Sequence, residues 1–506
     1  MQTLARVARW QRIGSLALGS IAALSCGWLV SGCEEEETTV EPDTWPAPFV
    51  NGSRLRAHVI DGGGDAVVFT GWYDRERETD CVFVDAEDGR LRCLPTMEEA
   101  RAHYTQSDIV YRDASCTDAV RLVSGAVAQA PAEVLGDPVI VDPCDPSIAQ
   151  YPVFELGDEL ALPDNQKFYF HDGGDCLEIG VDATVRKFAL GPEVSASEFV
   201  GADFIVTYAD GDRGGARRIV AEDGASVIVG VVDQTWGDCL LAGVGLDHGP
   251  CLPILVAWSI GEFADSACTE AIAYTSDLAP GGQDPSCADP EVIIAADWSG
   301  CVTELGLFEV GPRVDGTSYV TDTHGACVAL EPNDRHANFE LGAPIPEDQF
   351  LGLDREPRGA GRLQANYTVS DEGQRFWADA YTFFDTSLGV DCVVTELCDG
   401  TEACVPDVQR NNAYFTDDLC TKPVALAYWN ADCGQPEPTR TVVGYGCLTD
   451  QSVLLLGGQA QLTAVYQLTG ADCAPALLDQ GPGFVYYDVI GTEPLSTFAT
   501  LERRIE

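Results

Sequence analysis

The sequence predicts an all-β protein built from three copies of a unit of about 150 residues. One observation is a pair of cysteines 12 positions apart that recurs three times, from Asp80-Cys81 to Cys93-Leu94-Pro95, Asp238-Cys239 to Cys251-Leu252-Pro253, and Asp391-Cys392 to Cys404-Val405-Pro406. A second is the aromatic-x-Asp-x-x-Cys-Thr signature after each pair: Tyr111/Asp113/Cys116/Thr117, Phe263/Asp265/Cys268/Thr269 and Phe415/Asp417/Cys420/Thr421. The third is local. Between turns the segments are short and rich in Val, Tyr, Thr and Phe, and the 3.6-residue apolar period of a helix is scarce, Met97–Tyr104 being the best helical stretch. Each unit has room for roughly eight strands, or two four-stranded blades, so the expected architecture is a six-bladed β-propeller, with three β-sandwich domains in tandem as the alternative. A closed ring would leave no free sheet edges.

The chain opens on a targeting segment. Arg6, Arg9 and Arg12 form a basic start and Ile13–Val30 is an apolar run, so residues 1–32 read as a lipoprotein signal peptide. Val30-Ser31-Gly32-Cys33 has the form of a bacterial lipobox, with Cys33 as the lipid acceptor; Cys26 is weaker because apolar Gly-Trp-Leu-Val follows it. Glu34–Glu37 cannot stay in hydrocarbon and begin an acidic tether, residues 33–52. The plainer alternative is an uncleaved N-terminal anchor. With Cys33 lipidated, the expected location is the outer membrane of a bacterial envelope, with the membrane contacted only through the N-terminal lipid.

Repeat one is expected over residues 53–203, repeat two over 204–353 and repeat three over 361–501, with the polar stretch 354–360 as a connector. In repeat one, Arg54–Ile60 and Ala66–Thr70 flank the turn Asp61-Gly62-Gly63-Gly64. Cys81–Val84 and Arg90–Cys93 flank Asp88-Gly89, a strong hairpin signal. In the second half, Val153-Phe154-Glu155-Leu156-Gly157 matches Leu307-Phe308-Glu309-Val310-Gly311. Phe188-Ala189-Leu190-Gly191 with Phe199 matches Phe339-Glu340-Leu341-Gly342 with Phe350, and Val489-Ile490-Gly491 with Phe498 is a fainter third version.

Export permits disulfides. Of 20 cysteines, Cys26 leaves with the signal and Cys33 takes the lipid, so an even number remains. The clasps predict Cys81–Cys93, Cys239–Cys251 and Cys392–Cys404, each worth roughly 3 kcal/mol by loop closure. Nearness in sequence predicts Cys116–Cys144, Cys268–Cys287 and Cys420–Cys433, and a shared spacing of 26 predicts Cys301–Cys327 and Cys447–Cys473. Cys176 and Cys398 are left over, either unpaired or joined to each other across repeats one and three.

The formal charge is −52, from 81 acidic and 29 basic residues. Such a chain repels phosphate backbones, which excludes nucleic acid as a partner; a glycan, a protein or a cation remains open. There is no His-Glu-x-x-His, Gly-x-Ser-x-Gly, Walker-type loop, dinucleotide fingerprint or Cys-x-x-Cys. The six histidines (His58, His103, His171, His248, His324, His336) do not recur in register. The polar residues that do recur are aspartates: Asp80, Asp238 and Asp391 before each clasp, and Asp74, Asp233 and Asp385 a few positions earlier. Their structural reading is turn capping; their functional reading is Ca²⁺ binding or a carboxylate pair that hydrolyses a glycosidic bond. Asp61, Asp65, Asp210 and Asp212, like Asp172 and Asp175, lie in Gly-rich loops and are weak Ca²⁺ candidates without EF-hand spacing.

The lipobox, acidic tether, scarcity of lysine (Lys167, Lys187 and Lys422 only) and repeated Asp-Gly-x-x-x-Cys-Leu-Pro clasp together resemble the large secreted Cys-rich lipoproteins of myxobacterial type. That resemblance implies envelope localisation and repeat architecture, and implies no reaction. Two function classes follow: a lipid-anchored binding or scaffold protein, which the absence of a catalytic cluster favours, and a propeller-type carbohydrate-active enzyme.

Overall fold

In the computed structural model the described residues are 49–506, apart from 96–108, 124–131, 137–138, 141–148, 164–165, 173–174, 182–184, 209–212, 242–247, 254–255, 276–289, 296–305, 322–325, 331–336, 374, 378–381, 407–409, 412–413, 429–436, 444–447, 450–451, 470–471 and 477–483. The helical expectation at Met97–Tyr104 falls outside them. The described residues contain strands and short 3-10 turns, with no α-helix. None therefore forms a helix long and apolar enough to cross a membrane.

Five strands from each repeat form a continuous hydrogen-bonded circuit. Repeat one contributes β1 (Leu55–Asp61), β2 (Val67–Asp74), β3 (Thr79–Asp85), β4 (Leu91–Pro95) and β5 (Gly201–Tyr208). Repeat two contributes β6 (Gly214–Ala221), β7 (Ser226–Asp233), β8 (Gly237–Leu241), β9 (His248–Pro253) and β10 (Gly352–Arg358). Repeat three contributes β11 (Leu363–Ser370), β12 (Thr382–Asp385), β13 (Val390–Glu396), β14 (Glu402–Pro406) and β15 (Ala499–Ile505). Each pairs antiparallel with the next. The last strand then returns to the first, with His58 opposite Ile505 and Asp61 opposite Glu502.

The circuit wraps its cores in lobes, and neighbouring repeats share them. In the first lobe Leu55, Ala57 and Val59 of β1 pack with Trp72, Phe83 and Leu91, and with Ile219 and Val227 from repeat two. In the third, Leu363, Ala365 and Phe383 pack with Ile60, Ala66 and Val68 from repeat one. A strand alternates faces, so β1 feeds both cores: Leu55, Ala57 and Val59 face the first lobe and Ile60 faces the third. Opposite His58 and Val59 the partner strand β2 bulges at Thr70, and opposite Arg217 and Arg218 β7 bulges at Val229.

Among the described residues, the second half of each repeat forms a separate sheet, of seven, seven and eight strands respectively. In repeat two it closes on itself. Val256–Phe263 pairs with Ala271–Tyr274 and, in parallel, with Val292–Ala295; Gly306–Val314 and Asn338–Pro344 complete the circuit. The Phe-x-x-Gly motifs noted in the sequence are the close contact of two of these strands. A Cβ on Gly311 would sit 2.6 Å from the Glu340 carbonyl oxygen, and one on Gly342 would sit 2.6 Å from that of Glu309. Phe199, Phe350 and Phe498 pin the two halves together, Phe350 for instance among Leu252, Val292, Ile294 and Leu307.

The first halves of all three repeats hydrogen-bond in one circuit, an arrangement that neither expected architecture specified. These pairings correct two expectations. The polar stretch 354–360 is not a connector: most of it is strand β10, whose charged residues pair along β11. Likewise the boundary at 203/204 falls inside β5.

A separate correction concerns disulfides. The clasps Cys81–Cys93, Cys239–Cys251 and Cys392–Cys404 are bonded, with Cα atoms 5.1, 5.0 and 5.2 Å apart. Cys116, however, bonds Cys176 and not Cys144; Cys268 bonds Cys327 and not Cys287; Cys420 bonds Cys473 and not Cys433. Cys327 and Cys473 are therefore not bonded to Cys301 and Cys447, and Cys176 is neither free nor joined to Cys398, which is itself in a disulfide. Proximity in sequence misleads here because strand pairing sets the partner. Tyr169 opposite Tyr111, Tyr319 opposite Phe263 and Tyr466 opposite Phe415 each lay a hairpin against the signature loop. Cys144, Cys287, Cys301, Cys433 and Cys447 lie outside the described residues. Peptide mapping of unreduced protein is expected to yield Cys116–Cys176, Cys268–Cys327 and Cys420–Cys473 linked peptides; a Cys116–Cys144 peptide would refute this connectivity.

Candidate functional site

The recurring aspartates are consumed by structure, in three sets. Asp74, Asp233 and Asp385 are fully buried, at 0% exposure, and each is gripped by the arginine that opens its repeat. Arg54 Nε and Nη2 donate to Asp74 at 2.7 and 2.6 Å, Arg213 to Asp233 at 3.0 and 2.8 Å, and Arg362 to Asp385 at 3.0 and 2.8 Å. Backbone N–H groups of the turn complete each carboxylate: Glu76 on Asp74, Thr235 on Asp233 and Ser387 on Asp385. The same arginines donate to the carbonyls of Glu198, Gln349 and Thr497, in the 3-10 turn ahead of each repeat's last circuit strand. One guanidinium therefore ties the first, second and last strands of a repeat. A bidentate Arg–carboxylate pair with its other lone pairs filled is the geometry in which a buried charge is tolerated.

Asp80, Asp238 and Asp391 meet the donor at one equivalent position of the first strand in each repeat. His58 Nε2 lies 2.5 Å from Asp80, Arg217 Nη1 2.5 Å from Asp238, and Asn366 Nδ2 3.2 Å from Asp391, which Arg355 also reaches at 2.8 Å. A position that accepts His, Arg or Asn needs a hydrogen-bond donor and no particular proton chemistry. His58 is thus placed as a strand donor. His103, His324 and His336 lie outside the described residues.

Acidic residues at the hairpin tips cap the neighbouring repeat in cyclic order. Asp223 of repeat two accepts the N–H groups of Arg54 and Leu55 at 2.9 and 2.7 Å. Glu372 of repeat three accepts those of Arg213 and Gly214 at 2.8 and 2.7 Å. Asp65 of repeat one accepts that of Ala360 at 3.0 Å. Asp65 is thereby a seam cap, and Asp61 accepts Gly63 N–H and pairs with Arg504. Asp210 and Asp212 lie outside the described residues. Among those described, no group of three His, Cys, Asp or Glu side chains converges on a metal-sized site.

The signature loops hold the third set. Each cysteine of the loop has a positive φ, 50° at Cys116, 54° at Cys268 and 51° at Cys420, and an aspartate wraps the turn. Asp265 accepts the N–H of Glu270, then the N–H and Oγ1 of Thr269, each at 2.8 Å, and these bonds hold its carboxyl down at about 2. Ser115, together with Asp118 and Thr117, holds Asp113 well below the usual range, and Thr421 lowers Asp417 likewise. One carboxyl moves the other way: Glu87 hydrogen-bonds Glu193 and raises it, but both are exposed.

The profile of a family described as a family of unknown function (DUF7481) matches residues 195–498, well over half of the chain. The chain belongs to that family. No curated protein and no solved structure matches it. The DUF7481 region opens at Ser195, before the first 3-10 turn, and closes at Phe498, just after the third, so it spans two whole periods measured from turn to turn.

The three repeats differ along the strand that leaves each of them, only part of which falls in the DUF7481 region. The outer half of β5 reads Phe204-Ile205-Val206-Thr207-Tyr208, with all five exposed. The positions equivalent to Phe204, Ile205, Val206 and Thr207 are Arg355, Glu356, Pro357 and Arg358 in β10, and Arg503, Arg504, Ile505 and Glu506 at the end of the chain. Residues 201 and 202 pair with β4, whereas 203–208 pair only with β6 among the described strands. This apolar edge was missed in the sequence because it reads as one more strand; the signal was its contrast with the charged counterparts in the other repeats.

Two outcomes test these assignments. Asp233→Ala strands Arg213 beside a buried turn and is expected to cost ~3–5 kcal/mol in urea unfolding, whereas Asp203→Ala, at 77% side-chain exposure, should stay within about 0.5 kcal/mol. For the signature loops, a carboxylate whose folded pKa is depressed stabilises above its unfolded value of about 4, and that contribution is lost as pH falls through the folded value. NMR titration should therefore place the Asp265 midpoint at about 2, with Thr269→Val moving it upward.

Proposed function

We propose that this chain is a lipid-anchored binding or scaffold protein of the bacterial envelope, exported, attached to the outer membrane through Cys33, and presenting a disulfide-braced three-repeat β structure beyond an acidic tether. The observation that carries this reading is the distribution of disulfides. Every repeat has a clasp in its first half and a loop-to-hairpin bond in its second. Bonds so regularly placed belong to an oxidising compartment. The signal-like start and the lipobox at Val30–Cys33 agree with that location. The repeated carboxylates among the described residues are held by the turns and strands they serve. This supports binding over glycoside hydrolysis.

Cys33→Ala is the decisive variant. The wild-type chain is expected in the membrane fraction and to incorporate labelled fatty acid, and the variant to accumulate as a longer precursor without label. A wild-type product that is soluble in the cytoplasm with free thiols would overturn the proposal.

A further inference from the structure

The three-fold repetition provides internal controls for the exposed edge of β5. At the other two seams the outgoing strand carries charges: Arg355 binds Asp391 and Arg503 binds Glu402 across the sheet, at 2.8 and 2.7 Å. Pro357 removes a backbone donor from β10. Charged residues and proline on an edge are the usual means of blocking a further strand. At the seam between repeats one and two both means are missing. Phe204, Ile205, Val206 and Tyr208 are 45, 46, 40 and 37% exposed. Val229, the extra residue of the bulge on β7, is 47% exposed as well. The ribbon is otherwise well ordered, with β5 and β6 in register from Ala202–Ala221 to Tyr208–Gly215. A Cβ on Gly215 would lie 2.6 Å from the Tyr208 ring, so that ring lies flat across the strand pair.

Resting on the scaffold reading above, we propose that the outer edge of β5, residues 204–208, accepts an extended, cationic segment of another protein as an added antiparallel strand. Main-chain groups supply the ladder, and the alternating apolar side chains supply the contact. Charge complementarity selects this occupant. The chain carries −52, Asp203 precedes the apolar run and Asp210 and Asp212 follow it in sequence. Of the two arginines on β6 opposite this run, Arg217 is paired with Asp238 while its guanidinium covers the Phe204 ring, and Arg218, opposite Ile205, donates to Ser226. A second copy of the chain would bring two such charges together, which opposes its docking here.

The test uses the full-length chain and a fluorescent eight-residue peptide of alternating valine and lysine. The control is the same peptide with glutamate for lysine. The variant Phe204→Arg/Ile205→Glu/Val206→Pro copies the β10 sequence at equivalent positions, and proline there already pairs opposite Asn366 in repeat three. It should therefore melt within a few degrees of the parent; if it does not fold, Val206→Pro alone replaces it. The proposal expects the lysine peptide to bind, to slow amide exchange over residues 204–208, and to bind the variant at least about tenfold more weakly. Equal binding to variant and parent, equal binding of the glutamate peptide, or no binding would overturn it. A dimer in sedimentation that the variant dissolves would also overturn it, by showing a second copy as the occupant. None of these outcomes bears on Cys33, so failure here is separable from failure of the envelope reading.

Discussion

The buried guanidinium–carboxylate pair repeated once per unit is the constraint on which the rest of this structure depends. A carboxylate with no exposure must have its desolvation offset by donors on all sides. Asp74, Asp233 and Asp385 achieve this with two donors from arginine and further N–H groups from the turn that follows. The arginine's contact with a carbonyl more than 130 residues later brings the returning strand to the same place in each repeat. That strand then pairs with the first strand of the next repeat, so a local electrostatic need becomes the joint of a closed circuit.

The seams use the same economy. An acidic residue at each hairpin tip caps the start of a neighbouring repeat, in an order that returns to repeat one. Exposed carboxylates that elsewhere would only keep the chain soluble here satisfy backbone donors left open at strand starts. The strongly negative composition thus has structural uses at specific positions. The aspartates that recur with the cysteines recur because the turns and seams recur.

Repetition also explains why the chemistry is placed where it is. A position that must serve all three lobes keeps a donor, as His58, Arg217 and Asn366 do opposite their aspartates. Positions outside the lobe cores are free to diverge. The outgoing strand is one of these: its buried root pairs alike in all three repeats, while its outer half is apolar in one and charged in two. Function in such a protein is to be sought in what breaks the three-fold pattern.

The sequence by itself determined the strand class, the threefold repetition and the twelve-residue clasps, because these rest on local signals: alternation, turn residues and cysteines closed by a single hairpin. It also marked the aspartates, though not their partners. Arg54 and Asp74 are 20 residues apart, and the bidentate geometry depends on two strands first being side by side. The Cys116–Cys176 class of bonds, separated by 53 to 60 residues, was hidden for the same reason. Only the tertiary structure decided that the first halves join into one lobed circuit while the second halves stand apart. That choice depends on which neighbour each face of a strand meets, as adjacent Val59 and Ile60 enter different cores, and no single strand's pattern shows which core its neighbour will supply.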